Sequence, residues 1–297
     1  MTASRFFSEA WESAQRHSDP ALFASGVQKL PYADLVNAID KLDRNFISEF
    51  VHSFHGGEVY IFTNAFNPKA LTDFKSRAIE WGKKQQSREP RIVGKVEDYR
   101  SRRDWHSEDH GPGYSSTYDM MHFFRWNDDP IGGYELFDSQ YRIQRIISGY
   151  EIDGMDSNTP DNDVIDRVEV SHYPTGVGGI AWHSDPIQAT RFALTVNLNR
   201  FGLDYEVGGF AVGTGDGNVL PIDPMIEAGS LVGFLPSVCH GVEIIDPHLS
   251  ADWSDQSGRW YVAISMITTH RSNDRKFTRP VEGYPTLRQQ INQVRKN

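Results

Sequence analysis

Cys239 is the only cysteine in 297 residues, so no intrachain disulfide can form, which fits a reducing compartment. Long apolar runs are missing too: none approaches the ~18–20 residues that span a bilayer. Glu9 and Glu12 stand where a secretion signal needs an apolar block, so we expect no export signal and a cytoplasmic protein. There is no basic excess. The 30 Lys and Arg face 40 Asp and Glu, a net charge of −10, and that balance lacks the positive footprint of nucleic-acid binders. No repeat or low-complexity stretch interrupts the chain, which excludes a coiled coil, a collagen-like rod and a disordered tail. What remains, 38% hydrophobic and 24% charged, is ordinary globular composition with length enough for a large core.

The first half reads as mainly helical. Leu35, Ile39, Leu42, Phe46 and Phe50 recur at steps of three to four, predicting one amphipathic helix over 34–54 with Asp34 as N-cap. A short strand is expected at 57–63. Asn67-Pro68 then opens a helix to about Lys84, Asn capping and Pro at the first helical position. Residues 87–132 are polar and poorly periodic, an irregular segment read as a lid. Its candidates are Arg100, Arg102, Arg103, Trp105, His106, His110, Tyr114, Tyr118, His122 and Arg125. A further helix is predicted from Gly133 to Tyr150.

From about Val164 the texture changes to short runs rich in Val, Ile and Phe at 167–173, 191–198, 207–212, 230–235, 241–245 and 259–268. Gly, Pro and Asp turns separate them, the pattern of an antiparallel sandwich or barrel. Asp216-Gly217 is a hairpin signal. The Gly213-Thr-Gly215-Asp-Gly217 cluster is read as a turn, because no helix pattern follows to make it a phosphate loop.

Trp182-His183-Ser184-Asp185-Pro186 carries a His and an Asp that share one face if the segment is extended. His240 opens another predicted strand. Two imidazoles and one carboxylate on one face leave three coordination positions open, the set suited to non-heme Fe(II) and dioxygen. The same tetrapeptide recurs at His17-Ser18-Asp19-Pro20, and His106-Ser107-Glu108 is a variant. Neither is followed by strand signals and a second well-placed His. Cys239 should face away from His240 and pack as a small hydrophobe, and His172 should likewise face away from the site. His248 and His270 are expected to be solvated.

The stretch from Arg167 through Tyr173-Pro174 to His183 and Asp185 resembles the core of Fe(II)/2-oxoglutarate-dependent oxygenases. It is most similar to the isopenicillin-N-synthase-like branch, where a Tyr-Pro pair shortly precedes the His-x-Asp. The likeness continues through Gly208-Gly209, Ala228-Gly229, His240-Gly241-Val242 and Arg259 to Ser265, covering roughly 165–270. The chain departs from the pattern at three points. His240 and Arg259 lie further apart than in the plant-type enzymes, with 246–258 resembling an insertion; Tyr261 replaces a common Ser, and Ser171 a common Asn.

The resemblance implies an α+β fold: a double-stranded β-helix (jelly-roll) barrel with supporting helices from the N-terminal half. It implies a single oxygenase domain over 1–297, with helical support and lid at 1–163, catalytic core at 164–270 and a tail or helix at 271–297. His183, Asp185 and His240 would hold Fe(II). Arg259 would bind the far carboxylate of 2-oxoglutarate, with Tyr173 as a hydroxyl donor and Arg191 as the competing cation. Dioxygen is the second co-substrate, and ascorbate the expected assay reductant. The implied activity is oxidation of a small molecule of secondary metabolism by hydroxylation, desaturation or cyclisation, with release of succinate and CO2. Arg102, Arg103 and Arg125 suggest a carboxylate-bearing substrate. Asp185 stands where halogenases of the superfamily carry Gly or Ala, which implies oxygenated rather than chlorinated products. The alternatives are a nucleic-acid or protein demethylase of the same superfamily, whose second Arg is replaced here by Ser265, and a non-catalytic jelly-roll binding protein. Nucleic-acid and membrane partners are not expected.

Overall fold

The computed structural model describes residues 2–104, 114–156, 159–160, 164–254 and 257–294. The first half forms α1 (Ala3–His17), β1 (Gly26–Pro31), α2 (Tyr32–Asp40), α3 (Arg44–His55), β2 (Glu58–Thr63), α4 (Pro68–Gly82), β3 (Tyr99–Asp104), β4 (Ser116–Phe124) and α5 (Gly133–Ile147). The second half forms β5 (Val164–Tyr173), β6 (Gly179–Ser184), β7 (Ala193–Asn197), β8 (Gly209–Gly215), β9 (Asn218–Pro221), β10 (Leu231–Phe234), β11 (His240–Glu243), β12 (Arg259–Thr268), β13 (Arg279–Pro280) and α6 (Leu287–Val294).

Side-chain chemistry at the helix ends explains several boundaries. The helix predicted over 34–54 is two helices. Leu42 is left-handed (φ 53°), and Asp43 caps α3 by accepting the Asn45 and Phe46 N–H groups at 3.1 Å. Asp34 therefore lies in the first turn of α2, whose N-cap is Pro31. Asn67 does cap α4, accepting from the Lys69 N–H at 2.9 Å.

The segment expected to be irregular contains two paired strands. β3 and β4 run antiparallel from Tyr99↔His122 to Asp104↔Thr117, and every residue of β4 is buried. Two polar pairs cross between them, Arg100 with Asp119 and Ser101 with His122, so burial here leaves no apolar periodicity to read. Trp105, His106 and His110 lie outside the described residues.

The strands join in one large mixed sheet. Within it β10-β7-β12-β5 are successive neighbours, as are β6-β11-β8-β9, and β4 links the two runs by pairing β5 and β6. Chain order thus alternates between the runs, an α+β arrangement consistent with a jelly roll. β1 and β2 extend the first run beyond β10. Asp216 (φ 51°) and Gly217 (φ 74°) make the left-handed turn between β8 and β9.

The helices cover the first run through an aromatic core. Phe192 meets Phe54 at 4.8 Å and Phe50 at 5.8 Å between ring centroids, and all three are buried. Burying each such side chain contributes about 1.5–3 kcal/mol. Trp11 pins α1 to the end of α5 by donating to the Ile147 carbonyl at 2.6 Å. No helix among the described residues is long and apolar enough to cross a membrane.

Candidate active site

β6 and β11 are antiparallel neighbours with His183 directly opposite His240. Their rings lie 4.1 Å apart between centroids. Asp185 follows the end of β6, and its N–H is fixed by the Pro236 carbonyl at 2.9 Å. One carboxylate oxygen, Oδ2, stands 3.6 Å from His240 Nε2 and 3.9 Å from His183 Nε2. The three candidate ligand atoms lie within 4.8 Å of one another, and no other such group occurs among the described residues.

The hydrogen bonds around the triad suit a divalent ion. His183 Nδ1 donates to the Ala181 carbonyl at 2.7 Å, and His240 Nδ1 to the Val238 carbonyl at 2.8 Å. A proton on Nδ1 leaves each Nε2 lone pair directed at the shared centre. Burial alone would push the Asp185 carboxyl up; protonated His183 and His240 rings, with a hydroxyl from Thr278, more than reverse this and lower it, and a cation between the three groups would take the place of those two protons. Two imidazoles and an ionised carboxylate on one face are a donor set for Fe(II) with positions left open.

The triad borders a cavity of about 790 Å3. Of the lid candidates, Arg103, Tyr114, Tyr118 and His122 line it. Arg103 is already paired with Glu89 at 2.6 Å. Arg102 instead lies over the Trp253 ring at 3.7 Å, and Arg125 pairs with Asp156 at 3.2 Å. Neither lines the cavity, so the sequence argument for an anionic substrate retains only Arg103 from its trio. Deeper in the wall, Glu169 pairs with Arg167 and stands 3.4 Å from His122. Burial opposes ionisation of Glu169, but Arg167 overcomes it and brings the carboxyl down to about 2.

Arg259 lines the same cavity and is buried. Behind it sits Asp223, fully enclosed, which accepts from Arg259 Nε at 2.6 Å and Nη2 at 3.1 Å. Asp223 also accepts from Tyr205 Oη (2.6 Å), the Phe210 N–H (2.8 Å) and Asn197 Nδ2 (2.8 Å). Gly209 has φ 101°, and a Cβ there would overlap the Asp223 carboxylate, so glycine lets this acid approach β8. Arg259 Nη2 donates to Asn197 Oδ1 at 2.8 Å, whereas Nη1 carries no hydrogen bond among the described residues. Tyr173 pairs with Arg259 in the β5–β12 ladder and stacks on Tyr261 at 5.7 Å. Burial pushes the Tyr173 phenol far above its ordinary value, so it stays protonated and able to donate.

The remaining candidates fall elsewhere. Arg191 stands over Trp11 at 5.8 Å and does not line the cavity. His172 stacks on Trp260 and donates to the Ser257 carbonyl. Cys239 packs with Trp182 and Ala211 on the side away from the triad. His17 bonds the Ser13 carbonyl at the end of α1. His248 is exposed, but His270 is part-buried, accepts the Ile92 N–H and lines the cavity. Sequence reasoning missed Asp223, Glu169 and Thr278: the turn after β9 brings Asp223 to Arg259, β4–β5 pairing sets Glu169 opposite His122, and β13–β6 pairing brings Thr278 to Asp185.

No family model matches the chain, and no curated protein matches it. Among solved structures, a full-length Neurospora crassa protein in complex with alpha-KG and thymine is 10% identical, with 91% of this chain and 96% of that chain covered and a TM-score of 0.49. JOX2 in complex with 2OG, Fe and JA is 15% identical over 92% of this chain and 86% of that one, TM-score 0.47. A Pseudomonas putida prolyl-4-hydroxylase is 14% identical over 72% and 93%, TM-score 0.43.

Proposed function

We propose that the protein is a non-heme Fe(II)/2-oxoglutarate-dependent oxygenase of a small molecule, built as one jelly-roll oxygenase domain over 1–297. The observation that carries this reading is the opposed His183–His240 pair with Asp185, both imidazoles locked by backbone carbonyls at the edge of a cavity. His183, Asp185 and His240 would hold Fe(II), which supplies, with 2-oxoglutarate and dioxygen, the oxidation of an unactivated C–H bond with release of succinate and CO2.

The chain's own groups then have separate tasks. The Nδ1–carbonyl bonds fix the tautomer and orientation of both imidazoles, turning each Nε2 toward the shared centre. Arg259 would present Nη1 to the far carboxylate of 2-oxoglutarate while Asp223 holds the rest of the guanidinium rigid. Tyr173 would add a hydroxyl donor. Tyr114, edge-on to His183 at 5.5 Å, and Tyr118 shield the substrate side from water. Tyr173-Pro174 and Arg259 support the isopenicillin-N-synthase-like branch, and the lone buried Cys239 supports a cytoplasmic place.

The test is an anaerobic Fe(II) titration followed by a succinate-release screen over a metabolite panel with ascorbate. One equivalent of Fe(II) per chain is expected, with binding or turnover abolished in His183→Ala and His240→Ala. Full activity in either variant would remove the triad from the mechanism.

A further inference from the structure

We propose that Thr278 is a positioning residue that holds Asp185 to one-oxygen coordination, making the C-terminal strap part of the metal site. This rests on the triad reading above. β13 pairs antiparallel with β6 at Arg279↔Ser184 and Pro280↔His183. One step further along that register sets Thr278 opposite Asp185, just where the strand leaves its last ladder pair.

The contact is direct. Thr278 Oγ1 donates to Asp185 Oδ1 at 2.5 Å, whereas Oδ2 is the oxygen that faces both Nε2 atoms. The two carboxylate oxygens therefore have different partners. Fe(II) held by three protein ligand atoms would keep open positions for a chelating 2-oxo acid and dioxygen. A carboxylate closing with both oxygens would take one of these. Occupying Oδ1 with a hydroxyl donor opposes that closure.

The strap is built to deliver this hydroxyl. The Val281 N–H donates to the Trp182 carbonyl at 3.1 Å, and Tyr284 stacks on Trp182 at 4.8 Å. On the other side of Thr278, the Lys276 N–H donates to Gln188 Oε1 at 2.9 Å, and Gln188 Nε2 to the Asp274 carbonyl at 3.1 Å. Gln188 lies in the loop just past Asp185, so the strap is fastened on both sides of the ligand it touches.

The experiment measures Mn(II) and Co(II) affinity of full-length wild type, Thr278→Val, Thr278→Ala and Thr278→Ser, with the visible spectrum of the Co(II) form as a coordination readout. Losing such an outer partner weakens a metal site by about 10–100-fold. We expect that loss in the Val and Ala variants with an altered Co(II) spectrum, and recovery of both affinity and spectrum in Ser. Thr278 is part-buried on a surface strap, so circular dichroism should be unchanged in all three. A wild-type Co(II) spectrum in Thr278→Val or Thr278→Ala, whatever the affinity, overturns the positioning role while leaving the triad intact. Equal weakening in Ser and Val also overturns it, because packing rather than the hydroxyl would then matter. Absence of metal binding by wild type removes the triad reading and this role with it.

Discussion

Breaking the Asp223–Arg259 pair should cost far more than losing an exposed ion pair. The Asp223 carboxylate is fully enclosed and accepts hydrogen bonds from Arg259, Tyr205, Asn197 and the Phe210 N–H. Burial opposes its ionisation, and Arg259 more than restores it. Asp223→Ala leaves the Arg259 guanidinium buried without its counter-ion, and Arg259→Met leaves the carboxylate so. Each should destabilise by about 3–5 kcal/mol, because an uncompensated buried charge remains. At roughly 2–4 °C per kcal/mol for a chain of this size, each variant should lose ~6–20 °C in melting temperature. The double variant removes both charges, so its loss should fall at least about 2 kcal/mol short of the sum. Urea unfolding followed by tryptophan fluorescence gives all four corners of the cycle, wild type included. Additivity within about 0.5 kcal/mol would show that the two charges do not depend on each other, and would refute the argument.

Asp98 gives a pH-dependent prediction. Burial and the nearby Asp129 and Asp128 push its carboxyl up to about 6, although Asn127 and the Phe124 N–H donate to it. A folded value above the unfolded one, about 3.9, means its stabilising contribution is full below that value and lost as pH rises through about 6. Asp98→Asn mimics the neutral acid and keeps the acceptor. It should therefore match wild type near pH 4 and gain about 1–2 kcal/mol at pH 7, a figure reduced for the part of the group that water reaches. Equal stability difference at both pH values would refute this. Cys239 is buried and its thiol is pushed up to about 12, so thiol reagents should label it only on unfolding; rapid stoichiometric labelling of the native protein would contradict its placement.

Local residues announced several of the secondary-structure elements. Asn67-Pro68 announces α4, Asp216-Gly217 announces the β8–β9 turn, and the alternating runs after Val164 announce strands. The His-x-Asp and the later His were equally legible, because extended chain puts residues i and i+2 on one side whatever surrounds them. The polar β3–β4 pair was not legible, since polar residues of β4 such as Asp119 and His122 are buried against partners on β3 rather than by apolar periodicity. The same reason separates the two His-Ser-Asp-Pro tetrapeptides. His17 ends a helix beside its own Ser13 carbonyl, whereas His183 meets His240 only because β6 and β11 are neighbours. Arg259 could be read as a cation on a strand, but that Asp223 stands behind it depended on β8, β12 and the turn after β9 converging. Thr278 is the furthest case: nothing near it in sequence marks it, and it reaches Asp185 because the chain returns to pair with the edge of β6. Side-chain chemistry and local backbone geometry are short-range and travel with the sequence, whereas which distant groups share a buried space is decided only when the sheet closes its long-range pairings.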